Sequence, residues 1–301
     1  MDLSPPIAAG QPPQPAPDAA EPVLLLKQVR VRYPGASQPT LDGLDLRLRP
    51  GERLALVGPS GCGKSTVART ALQLLPPGSL CSGELRLAGR DPRQLSRAAL
   101  RRLRGEAVGL VFQDPMTRLN PLLTIGEHLR DTLAAHHDGV PPAGARGGMT
   151  SPGTSAARQR RQRVEALLQR VGIDPGRYGS YPHEFSGGMR QRLAIALALA
   201  LSPPLVIADE PTTSLDVAVA NQVMAELAGL CAEAGSAMLL ISHDLAMAGR
   251  WCERIAVLDQ GRLVEEAPSH SLLTAPASPL AQRLVAAARR REGGVAAPPP
   301  P

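Results

Sequence analysis

The run Gly58-Pro59-Ser60-Gly61-Cys62-Gly63-Lys64-Ser65-Thr66 constrains this chain more than any other stretch. It follows the apolar segment Arg53–Val57 and leads into helix-forming sequence that stops at Pro76-Pro77. The run fits G-x-x-x-x-G-K-[ST], and a strand before with a helix after is the context that pattern requires. Glycines let the backbone curl so that successive N–H groups point inward. The following helix adds the positive end of its dipole. Together they make a cradle for a polyphosphate, with Lys64 able to reach the β- and γ-phosphates and Ser65 able to ligate Mg²⁺. Lys27 and Lys64 are the only lysines among 33 basic residues. Composition alone would rarely put a lysine in this loop.

A second element ends in acid. Leu205-Val206-Ile207-Ala208 is a short buried-strand pattern that delivers Asp209 and Glu210 to its carboxyl end. Asp209 there can hold Mg²⁺, and Glu210 is placed to polarise a water. Around these two landmarks strands and helices alternate. Strands are expected near 23–33, 44–48, 53–57, 83–88, 107–112, 205–209, 237–242 and 254–259. Helices are expected near 64–75, from Ser96 to Arg104, across most of 126–200, and near 217–234 and 244–251. The alternation describes an α/β sheet core interrupted by a helical segment. Residues 1–21 and 291–301 read as Pro/Ala-rich tails without structure, and 136–155 as a Pro/Gly/Ala/Ser-rich insert between helices.

Composition excludes several classes. The longest apolar run, Leu193 to Leu201, is nine residues, about half of what crossing a bilayer requires. The N-terminus lacks the basic-then-apolar pattern of a secretory signal. Cys62, Cys81, Cys231 and Cys252 are widely spaced and form no metal-ligand pair, so a reduced compartment is expected. The net charge is +6, but arginines are scattered and only six aromatics are present to stack on bases. No nucleic-acid partner is expected.

Phosphate loop and acidic strand are shared by many nucleotide hydrolases. What narrows the field is Phe185-Ser186-Gly187-Gly188-Met189-Arg190-Gln191-Arg192, whose second glycine lies 17 residues (205 minus 188) before the acidic strand. Here the chain resembles the ATP-binding cassette family, whose signature is written L-S-G-G-Q. Phe and Met replace the outer residues, while Ser-Gly-Gly keeps the hydroxyl and N–H donors at a helix start. Further landmarks fall in order: Gln113 in Phe112-Gln113-Asp114-Pro115, Ser214-Leu215-Asp216, and His243 in Ile241-Ser242-His243-Asp244. Tyr33 corresponds to the family's adenine-stacking aromatic.

The resemblance spans roughly residues 22–290. It implies an α/β fold: a P-loop NTPase core of ABC type, with a β-rich edge subdomain and an inserted helical subdomain at about 115–202. It implies ATP and Mg²⁺ as cofactors. It assigns Glu210, His243 and Gln113 to catalysis, Ser65, Gln113 and Asp209 to the metal, and Tyr33, the 58–66 loop and Ser186, Gly187 and Gly188 to nucleotide. The stretches 112–121, 181–192 and 207–217 look like the dipeptide, oligopeptide and nickel importer branch. That branch implies a second cassette and two membrane permeases as partners, a solute-binding protein indirectly, and a place on the cytoplasmic face of the membrane. Ser278-Pro279-Leu280-Ala281 stands where the branch often carries His-Pro-Tyr-Thr, and the cysteine cluster of some members is absent. The alternatives are a soluble non-transport cassette acting in DNA repair or translation, or a cassette subunit for another solute; non-transport chains usually carry two cassettes or long coiled coils, and this one shows neither. One further expectation concerns Cys62: amides and a helix N-terminus should lower its thiol pKa.

Overall fold

The computed structural model describes residues 21–115, 119–137 and 155–293. Two sheets carry the architecture. The larger has six strands in the order β5(Val108–Val111), β6(Leu205–Asp209), β7(Ala237–Ser242), β3(Arg53–Val57), β8(Arg254–Asp259), β9(Arg262–Pro268). Its first five strands run parallel, and β9 closes the edge antiparallel to β8. The smaller is antiparallel, with β1(Leu24–Arg32) between β2(Leu41–Leu48) and β4(Leu80–Leu87).

The parallel strands are buried on both faces, which is why their sequences read as unbroken apolar runs. Alternate side chains nevertheless serve different cores. Leu54, Leu56, Leu205, Ile207, Leu239 and Leu258 face the core shared with the small sheet and helix α1(Lys64–Ala71). Ala55, Val57, Val206, Ala208, Leu240 and Val257 face the other, where the helices gather. Those are α3(Ile125–His137), α4(Ser155–Arg170), α5(Gly187–Leu199), α6(Val217–Ala234), α7(Leu245–Trp251) and α9(Pro279–Gly293). Helix α8(Ser269–Thr274) adds Leu272 to this same core, and α2(Arg97–Glu106) adds Leu103 to the first.

The expected strands all form; β3, β6, β7 and β8 have the expected bounds, and the others have shifted ends. β2 begins at Leu41 and β4 at Leu80, earlier than periodicity suggested, because both lie against β1, which extends their pairing. Helix α1 stops at Ala71, short of the expected 75: Gln73 has φ +52, outside helical space. The Arg104 guanidinium donates to the Leu72 and Gln73 carbonyls at 2.9 and 2.7 Å, satisfying that helix end. Ser96 caps α2 as expected, its Oγ accepting from Ala99 N. Strand β9 and helices α8 and α9 were not anticipated. Helix α9 runs through Gly293, three residues into the stretch expected to be tail. The remaining tails and most of the insert at 136–155 lie outside the described residues. Among the described residues, no helix is long and apolar enough to cross a membrane.

Candidate functional site

Parallel pairing brings the sequence landmarks to one edge. Val57 is opposite Ser242, Asp209 opposite Ile241, and Val111 opposite Ala208. The residues that follow these strand ends therefore emerge side by side at the carboxyl edge: Gly58, Glu210, His243 and the Phe112-Gln113 pair. That edge is where open α/β sheets bind ligands.

The phosphate loop is set by close packing from below. A Cβ on Gly58 would lie 2.2 Å from the Leu258 carbonyl oxygen, so only glycine fits. Gly63 sits at φ +110 and caps α1 without a side chain, and the Thr66 amide donates to its carbonyl at 3.0 Å. The turn between β8 and β9 props the loop, with Gly261 N donating to Cys62 O at 2.9 Å. Pro59, Ser60 and Gly61 form the exposed rim. Lys64 is only 6% exposed, and its ammonium donates to the Gly58 and Pro59 carbonyls at 2.8 and 2.9 Å. An ammonium has three donors, so a third remains for an anion. Thr66, buried at the start of α1, brings its Oγ1 within 3.2 Å of the Tyr33 hydroxyl. The Tyr33 ring thus borders the loop.

Ser65 and Asp209 come from distant parts of the chain and meet here, with Oγ donating to Oδ1 at 3.1 Å. Burial, joined by the charge of Glu210, pushes the Asp209 carboxyl above its usual range, against the Ser65 hydroxyl bond and the Lys64 and Arg69 charges. Two adjacent hard oxygens, one a desolvated carboxylate, fit a small divalent cation. The polyphosphate cradle and this oxygen pair are therefore suited to ATP and Mg²⁺ respectively.

Glu210 is held in an uncommon way. Its backbone has φ +48, while its N–H donates to Ile241 O at 2.9 Å. A left-handed non-glycine residue costs about 1–3 kcal/mol and persists only where its surroundings enforce it. The carboxylate accepts from Thr213 Oγ1 at 2.9 Å and faces His243 Nδ1 at 3.4 Å. His243 is steadied by its neighbours: Ser242 Oγ accepts from Asp244 N, and Asp244 caps α7 through Ala246 N and Met247 N. Gln113 is exposed just beyond β5, next to the Phe112 carbonyl that accepts from Gln191 Nε2 at 3.3 Å.

Ser186, Gly187 and Gly188 lie elsewhere. Ser186 is exposed and caps α5, accepting from Met189 N at 3.4 Å. A Cβ on Gly187 would meet Leu215, and one on Gly188 would meet Val219. This helix end therefore rests on the loop after Glu210, not on the chain's own phosphate cradle. A cavity of about 670 Å³ opens beside Glu210 and His243, bordered by α7 and α9, and includes no residue of the 58–66 loop.

The ABC transporter family model matches residues 41–213, which takes in the phosphate loop, the Ser-Gly-Gly helix start and the acidic strand. The chain belongs to the ABC transporter ATPase family. As such a cassette it binds and hydrolyses ATP. It is similar to a probable peptide ABC transporter ATP-binding protein of Sinorhizobium fredii, at 38% identity over 81% of this chain and 70% of that one. It is 38% identical to the oligopeptide transport ATP-binding protein AppF of Bacillus subtilis, over 82% of this chain and 69% of AppF. Among solved structures it resembles the dimeric post-hydrolysis state of the ATP-binding cassette MJ0796 bound to ADP and Pi. That match has a TM-score of 0.67 and 30% identity, over 82% of this chain and 98% of MJ0796.

One expectation is corrected. Burial pushes the Cys62 thiol up, outweighing the Lys64 charge and the backbone amides that favour the thiolate. The cassette's Cys62 is a packed side chain under the loop. Three features went unread in the sequence. Thr213 lies inside the 207–217 stretch, but its bond to Glu210 depends on the turn. The strain at Glu210 leaves no compositional trace. The prop at Gly261 was foreshadowed only by Gln260-Gly261 following a strand, a hairpin signal.

Proposed function

We propose that this cassette is the ATP-hydrolysing subunit of an importer for peptides, working as one of a pair on the cytoplasmic face of a membrane. The observation that carries the reading is the division of the site. The cradle, Asp209, Glu210 and His243 share one sheet edge, while Ser186, Gly187 and Gly188 begin a separate helix that packs on Leu215 and Val219, with Ser186 and Gly187 exposed and Gly188 half-buried. In this reading the 58–66 loop and Lys64 bind the phosphates, and Tyr33 borders the adenine. Ser65, Asp209 and Gln113 would hold Mg²⁺, which when bound supplies charge neutralisation of the phosphate oxygens. Glu210 accepts a proton from the attacking water, oriented by Thr213 and by His243. Ser186, Gly187 and Gly188 of one copy present their donors to the nucleotide held by the other.

Peptide as the solute class is supported by the Sinorhizobium and Bacillus relatives, which are named as peptide and oligopeptide transport ATP-binding proteins. Two membrane subunits would form the pathway, and a solute-binding protein would deliver the peptide. The test is reconstitution of the cassette with its membrane subunits in vesicles. Peptide uptake should require ATP and disappear with Glu210→Gln. A cassette that hydrolyses ATP but neither binds membrane subunits nor supports uptake would be a non-transport ATPase.

A further inference from the structure

We infer that Arg192 and Glu226 are a positioning pair for hydrolysis, fixing the Ser186–Gly188 end of α5 against the loop that follows Glu210. The inference rests on the division of the site proposed above. Arg192 lies in the second turn of α5, and Glu226 lies on α6, the helix that begins directly after that loop. Their charged groups meet at 2.6 Å, with side chains 17% and 25% exposed. The same guanidinium donates to Gly172 O, just beyond α4, at 3.3 Å. One side chain thus joins three helices.

The pair complements what lies at the helix start. There Gly188 is packed so closely on Val219 that an added Cβ would come within 2.7 Å of it, and Gly187 rests near Leu215. Those contacts are apolar and would let α5 pivot about its first turn. A directional bond further along removes the pivot, because two separated points fix the rotation of one helix on another. Gln191, buried beside Arg192, adds a tie to the Phe112 carbonyl ahead of Gln113.

Energy alone does not explain the pair. Glu226 Oε2 is buried without a hydrogen-bond partner, and burial raises the carboxyl's pKa against the pull of Arg192. Two apolar side chains would pack there at lower desolvation cost. What an ion pair adds is direction: a planar fork reaching a carboxylate and a carbonyl together. By contrast, Arg170 and Glu233 link α4 to α6 at 3.4 Å with side chains 39% and 68% exposed. Exposed pairs of that kind contribute little.

The test measures ATPase rate and ATP affinity for Arg192→Met, Glu226→Gln, the double variant, and Glu233→Gln as control. The pair should act on turnover and not on binding. We expect kcat to fall about 10–100-fold in either single variant, with KM for ATP nearly unchanged and the double variant no worse than the worse single one. Glu233→Gln should match the parent. If Arg192→Met does not fold, the near-isosteric Glu226→Gln decides. Additive losses, unchanged kcat, or parallel loss of ATP affinity would each overturn the inference. A Glu210→Gln background separates this from the underlying reading. ATP-dependent dimer there, weakened by Glu226→Gln, supports both. No such dimer in Glu210→Gln itself removes the divided-site reading. A dimer indifferent to Glu226→Gln removes only the pair.

Discussion

The phosphate loop and the start of α5 are both glycine-bearing helix N-termini, yet they are built in opposite ways. The loop is pressed from beneath by the β8–β9 turn, its lysine is buried, and two of three ammonium donors are already engaged within the chain. At the α5 start Ser186 and Gly187 are exposed, and the helix leans on the side chains of Leu215 and Val219 and not on backbone. One region is preformed within the chain. The other has exposed Ser186 and Gly187 at its start, which suits the proposed site completed between two copies.

The largest effects should come from chemistry at the sheet edge. Glu210→Gln should slow turnover by about 10²–10⁴ while ATP still binds and a nucleotide-bound dimer accumulates. Lys64→Ala should lose both binding and turnover, because it removes the buried cation of the cradle. Steady-state rates together with nucleotide titration separate the two patterns, and near-normal hydrolysis by folded Lys64→Ala would refute the cradle assignment.

Next come the glycines, which sharpen the contrast directly. Gly58→Ala forces a Cβ onto a backbone carbonyl that cannot move alone, so a loss of about 1–3 kcal/mol in stability is expected. Gly187→Ala meets only the Leu215 Cδ2 at 3.3 Å, which can give way. It should melt like the parent and bind ATP with parental affinity. Denaturant midpoints for the two variants would show whether the regions differ as described; equal losses would erase the distinction.

A smaller effect concerns Asp209, whose pKa is raised by burial in the folded chain. A carboxyl with a raised folded pKa favours the protonated fold. Its stabilising contribution is present at low pH and is lost as pH rises from the unfolded value through the folded one. At neutral pH the nucleotide-free protein therefore carries a penalty that Asn does not. Asp209→Asn should unfold at a higher temperature than the parent at pH 7 without Mg²⁺ or nucleotide, and the gap should narrow below about pH 4. Lower stability of the variant at pH 7 would mean that burial does not dominate at this carboxyl.

Legibility in the sequence followed locality. The central strands could be read because each is apolar on both faces and ends in a marked loop, as Leu205–Asp209 does. Strand β9 alternates half-buried and exposed residues and carries Glu265 and Glu266, so nothing in its pattern asked to be buried. The 58–66 loop and Asp209 were legible because their chemistry is contiguous. The left-handed Glu210 and its Thr213 bond were not, since both depend on Ile241 and a turn fixed by β7. Cys62 failed for a related reason. Amides and helix end are visible in a motif, whereas the burial that dominates the thiol comes from packing far along the chain.

Ser186→Arg probes the divided site at one residue, because Ser186 is exposed and caps α5 rather than lying in the cradle. Dilute protein is titrated with ATP to measure affinity in the monomer, and turnover is measured at saturating ATP. Affinity should be nearly unchanged and turnover lowered at least about 100-fold, since the donors blocked are those offered to another copy. Unimpaired turnover that remains first order in protein would contradict the divided site, as would a loss of affinity in the monomer, which would place Ser186 in the site of its own chain.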